Sequence, residues 1–85
     1  MQLVVVKFVD PTFYDFWASM DEVAEAKCNF CFAAGWLIED NEEWVKVACI
    51  VGGDKTNIRS WCVVPKEAVR ELSVIKEVDW RVPNG

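Results

Sequence analysis

The chain has 85 residues, 53% of them hydrophobic and 27% charged, which is one domain with enough apolar material for a core. Disorder as the main state is excluded by that composition, and no apolar run approaches the roughly 18 residues of a membrane-spanning helix. Nine basic against 14 acidic residues leave a net charge of −5, and no third of the chain is net basic, so the clustered cations of a nucleic-acid binder are missing.

Residues 2–9 are dense in β-branched side chains and predict an opening strand. The run Leu3–Val6 is cut by Lys7 and lacks a basic leader and a small-residue cleavage site, so no secretory leader is expected. Asp10-Pro11 ends the strand, because proline has no N–H for a ladder. Phe13, Phe16, Trp17, Met20 and Ala24 then recur at three- and four-residue steps, one face of a helix. Ser19 followed by Glu22 is a capping box, in which each side chain satisfies a free backbone N–H. The firm helix is expected over about 20–27, with its aromatics plugging the barrel or sheet.

Residues 28–39 predict a long strand with Phe30, Phe32, Trp36 and Ile38 on one face. Gly35 in its middle marks a bend or bulge. Asp40-Asn41-Glu42 supplies turn chemistry. Residues 43–51 return, with Val45, Val47, Cys49 and Val51 alternating against Trp44, Lys46, Ala48 and Ile50. Gly52-Gly53-Asp54 is a turn, residues 57–64 a further strand, and Pro65–Val69 a tight helical turn led by proline. Residues 72–82 close the fold as a half-buried strand, and residues 83–85 are expected to fray. Short hairpins with a mid-strand glycine fit a closed or half-closed barrel. The expected domain is therefore residues 1–82, mainly β, with one short helix after the first strand and a helical turn before the last.

The stretch Gly35-Trp36-Leu37-Ile38-Glu39-Asp40, then Trp44-Val45-Lys46-Val47-Ala48, then Val64-Pro65-Lys66-Glu67-Ala68-Val69, resembles small phage- and prophage-encoded proteins. Those proteins carry a Gly-Trp-Leu-Val-Glu strand and a later Ile-Pro-Lys segment. The match spans residues 8–76. The resemblance implies an SH3-like or Sm-like antiparallel β-barrel and a phage or mobile-element origin. It carries no activity and no functional residue. The cysteines and phenylalanines at 28–32 depart from the pattern.

The chain has no histidine, which removes the commonest general base and zinc ligand and makes His-dependent triads impossible within it. Gly52-Gly53-Asp54-Lys55-Thr56 lacks the first glycine and the spacing of a phosphate loop. Nothing in the sequence places two carboxylates in a pocket, so no enzyme and no cofactor are expected. Cys28-Asn-Phe-Cys31 has the spacing of zinc and redox sites, but Cys49 and Cys62 stand apart and form no second pair. Between Phe30 and Phe32, the cysteines read as small core hydrophobes, with metal binding left open.

Five tryptophans are more than so small a core needs, and tryptophan is enriched in binding hot spots. The phase of the strands makes Trp44 and Trp61 the candidates for an exposed aromatic patch, with Arg59 sharing the face of Trp61. Glu39, Asp40, Glu42 and Glu43 crowd one hairpin tip, as a solvated turn or as a negative patch for a basic partner. The expected function is a cytoplasmic, non-enzymatic interaction module that binds a protein, modulation of a host factor being one concrete version, in the host-cell cytoplasm if the chain is phage-encoded. A nucleotide- or nucleic-acid-binding barrel acting as a homo-oligomer is the first alternative, disfavoured by charge, and a self-assembling structural protein is the second.

Overall fold

The protein is described here by a computed structural model covering residues 1–11 and 15–79. β1 (Gln2–Asp10) leads to α1 (Met20–Glu25), then β2 (Asn29–Asp40), β3 (Trp44–Val51) and β4 (Ile58–Pro65). A single 3₁₀ turn at Lys66–Ala68 precedes β5 (Val69–Glu77). All five strands lie in one antiparallel sheet in the order β4-β3-β2-β1-β5. Helix is scarce and the fold is mainly β, as expected. The frayed tail predicted at residues 83–85, the strand end at Trp80–Val82 and the helix-face residue Phe13 lie outside the described residues.

Each strand begins within three residues of its predicted start, because turn chemistry punctuates the chain clearly. Asn41 makes the β2–β3 turn. Its side-chain Oδ1 accepts from the backbone N–H of Glu43 at 2.8 Å and of Trp44 at 2.9 Å, a local substitute for a backbone turn. In the β3–β4 turn the Asp54 carboxylate accepts from the Thr56 N–H and hydroxyl, and Lys55 takes a positive φ of 62°. The Ser19 half of the capping box of α1 is present: Ser19 Oγ accepts from the Glu22 N–H at 3.1 Å, while the Glu22 carboxylate accepts from the Ser19 hydroxyl, at 3.3 Å.

The sheet curls through irregularities in pairing. The register slips between Leu37 and Glu39 on β2, and twice along the β1–β5 pair. Bulges of this kind bend the strand and increase its twist. The two slips explain why β5 lacks the clean alternation expected of it. The curl brings the end of β1 (Phe8–Pro11) and the end of β4 (Cys62–Pro65) to one groove, although two strands separate them in the sheet. The 3₁₀ turn is tied to the β2–β3 hairpin by the Lys66 N–H, which donates to the Glu43 carbonyl at 2.8 Å.

The core is small. Among the described residues, Val4, Val6, Val45 and Val47 form the buried core cluster, with Phe8, Leu37, Val69 and Leu72 packed partly against it, and Ala48 and Val64 are buried outside that cluster. Gly35 allows the closest approach inside it. A Cβ at that position would stand 2.5 Å from the Ala48 carbonyl oxygen, so only glycine lets β2 and β3 meet there.

Two expectations about packing fail. The described aromatics of residues 12–27 do not plug the sheet: Phe16 is 66% exposed and Trp17 102%, Met20 is 83% exposed, and α1 buries none of its residues. The cysteines are not core residues either, since Cys28, Cys49 and Cys62 are exposed and Cys31 is half-buried. One cause serves both. The core face is filled by valines in the middle of the sheet and left open at the end from which the 11–28 segment departs.

Candidate functional site

The β2 register decides which side chains face outward. Val4 and Val6 pair with Gly35 and Ala33, while Leu3 pairs with Trp36 and Lys7 with Phe32. Small residues therefore point to the core, and Phe32 and Trp36 point away from it on β2. On the same outer side, Ala48 of β3 stands opposite both Trp36 and Trp61, so a Trp36–Ala48–Trp61 row crosses three strands. Ile50 pairs with Arg59 and Lys46 with Val63. The result is an apolar outer face on which Phe32 is 68% exposed, Trp61 56% and Ile50 54%. Lys7 Nζ lies 4.5 Å from the centre of the Phe30 ring, a cation over an aromatic face at the edge of this surface.

Among the predicted residues, Trp61 and Arg59 fall within this face. Trp44 does not join it as an open aromatic. It is half-buried, its indole N–H donates to Glu39 Oε1 at 3.1 Å, and the Lys46 ammonium lies 4.8 Å from its ring centre. Glu39 is the hub of a network: it also accepts from Lys46 Nζ at 2.8 Å and from Asn41 Nδ2 at 2.6 Å. Asp40 is paired with Lys66. Two of the four carboxylates at the hairpin tip are thus neutralised within the chain, and Glu42 and Glu43 remain exposed. The negative patch is half of what the sequence suggests, because the cations that answer it come from β3 and from the 3₁₀ turn.

The hydrogen bond from Lys46, reinforced by the Trp44 indole, holds the Glu39 carboxyl below the ordinary glutamate range, against partial desolvation. A depressed carboxylate stabilises the fold above its unfolded pKa and loses that contribution as pH falls through its folded pKa. The urea midpoint is therefore expected to decline once pH drops below about 4.3, and Glu39→Gln is expected to shallow that decline. Asp54, lowered by the Thr56 hydrogen bonds, supplies part of the remaining slope. An unchanged acid limb in Glu39→Gln would remove the network from the account.

The cysteine pair offers little chemistry. Partial burial and then the nearby Asp10 carboxylate, 3.7 Å from Cys31 Sγ, push the Cys31 thiol up. A raised thiol is a poor nucleophile and a poor metal ligand. Among the described residues no three Cys, Asp or Glu side chains converge as a metal site. No helix among them is long and apolar enough to cross a membrane.

Sequence reading missed Phe32 as a surface residue, whereas strand phase sets Val63 beside Trp61 and Ile50 in step with Trp44. The signal was present in β2, where Cys31, Ala33 and Gly35 alternate with Phe30, Phe32 and Trp36. Apolarity alone assigns the larger set to the core. The close approach of β3 at Gly35 admits only the smaller set. The chain matches no family model, no curated protein and no solved structure.

Proposed function

We propose that the protein is a non-enzymatic interaction module that binds a protein partner through its outer sheet face, with Trp61 and Arg59 as the anchors. The observation that carries this reading is the exposed row of aromatic and aliphatic side chains beside an arginine that forms no ion pair among the described residues. Trp and Arg are the residue types that dominate interface energetics, and an apolar patch framed by charge is a common mark of a docking surface. Glu42 and Glu43 give the neighbouring hairpin tip a preference for a basic contact.

We read the curled sheet as a small SH3-like or Sm-like barrel. The sheet order, the 3₁₀ turn before β5, the bulges and the groove shared by β1 and β4 all support that closure. The Gly35–Asp40 and Val64–Val69 patterns support a phage or mobile-element origin, and with it a place in the host-cell cytoplasm.

The test is capture from host lysate by immobilised wild type, followed by affinity measurement on the captured protein. Trp61→Ser is expected to weaken binding at least about 30-fold, as a hot-spot truncation does, with an unchanged circular-dichroism spectrum. Arg59→Glu is expected to weaken it as well. A partner held equally by both variants overturns the reading. So does retention of an oligonucleotide instead, with the steep salt dependence that phosphate contacts bring.

A further inference from the structure

We infer that the protein is a homodimer in which the α1 arm of each chain caps the open end of the core face of the other. The inference goes beyond the outer-face reading and rests on α1 and the β1–β4 groove rather than on Trp61 and Arg59.

The first surface is the arm. Met20, Val23 and Ala24 lie on one side of α1, and Asp21, Glu22 and Glu25 on the other. Met20 is 83% exposed, Val23 57% and the preceding Trp17 102%. A helix of six residues is far below the roughly 12–15 residues at which an isolated helix becomes even marginal in water. Its capping box offsets only part of that deficit. The helix therefore needs an apolar surface that its own chain does not supply.

The second surface is the open end of the core face. The groove between β1 and β4 is lined by Phe8, Pro11 and Cys62 among others. A second groove, between β2 and the β3–β4 pair, has Phe32 and Trp61 of the outer face on its walls beside Ala33, Cys49 and Cys62. Cys62 lines both, and the first groove is the mouth to which the arm is assigned. It opens where β1 and β2 end in the Asp10–Asn29 pair, beside the root of the arm.

The areas argue that a second copy joins them. A folded monomer of this mass, 9.7 kDa, exposes roughly 5,100 Å². This chain exposes 6881 Å², an excess of about 1,800 Å². Obligate dimers bury on the order of 1,000–2,500 Å² per subunit, and the excess falls within that range. The radius of gyration agrees, at 17.3 Å against roughly 12 Å for a compact chain of this length. Each copy carries one arm and one mouth, so a two-fold exchange covers both and closes the assembly.

The test is the solution mass by sedimentation equilibrium and native mass spectrometry, on wild type and on the double variant Trp17→Ser, Met20→Ser. Wild type is expected at twice the chain mass. The double variant is expected to weaken dimerisation by at least roughly 100-fold. To separate loss of the partner from loss of the fold, a second measurement uses wild type alone. Isotope-filtered NMR of a mixed labelled and unlabelled sample is expected to show contacts from the Met20 and Val23 methyls of one copy to Phe8 and Cys62 of the other. A monomeric wild type overturns the inference, as does an arm that contacts only its own chain. A dimer that survives the double variant, or filtered contacts that come only from Trp61 and Ile50, overturns it too. Each of these results leaves the Trp61 affinity measurement standing as a separate test of the docking face.

Discussion

Replacing Gly35 with alanine is expected to destabilise the fold by about 3 kcal/mol, at the upper end of the cost of overpacking a core. The added Cβ would meet the Ala48 carbonyl oxygen at 2.5 Å and the Val47 side chain at 3.0 Å. The first neighbour is backbone and cannot rotate aside. Relief requires β2 to move away from β3, which breaks the Trp36–Ala48 pairing at the centre of the sheet. Gly53→Ala is the control, since nothing lies within 4 Å of its added Cβ and its effect is expected within about 0.5 kcal/mol. Urea denaturation of both variants checks the pair. Equal losses would mean that backbone freedom, rather than the close approach, explains Gly35.

Val6→Ala is expected to cost about 2 kcal/mol, the transfer free energy of the lost methyl groups plus a residual cavity. Val6 is fully buried between Ala33 of β2 and Leu72 of β5. The loss matters because the core holds so few residues. A domain of this length has only roughly 4–13 kcal/mol of net stability, and among the described residues no side chain larger than valine is fully buried to share the load. Ile50→Ala removes more carbon from an outer position and is expected to cost under about 1 kcal/mol. Thermal unfolding read by near-ultraviolet circular dichroism compares the two. If Ile50→Ala proved the costlier, the assignment of inner and outer faces would be reversed.

Local chemistry made much of the architecture legible from sequence. Asp10-Pro11, Asn41, Gly52-Gly53 and Pro65 each act within a few residues of themselves, and the strand limits follow them closely. The Ser19–Glu22 box located α1 for the same reason. The outward phase of Trp61 and Arg59 followed from strand alternation, which needs no knowledge of the partner strand.

Other features depend on groups that meet only after folding. Alternation divides β2 into two faces without saying which is inner. That choice belongs to Gly35, through a clash with β3 that no local pattern records. The Glu39 network draws Lys46 from β3, and Asp40 draws Lys66 from the 3₁₀ turn, so the net charge of the hairpin tip could not be counted along the chain. The apolar stripe of residues 16–24 has helical spacing whether it covers its own sheet or another. By itself the sequence determined the order of elements, their turns and the absence of histidine chemistry, because these are properties of short segments. Tertiary structure alone decided that Phe32 and Trp36 face out, the cysteines lie outside the core and α1 is left uncovered by its own sheet, because each is settled by contacts between residues distant in the chain.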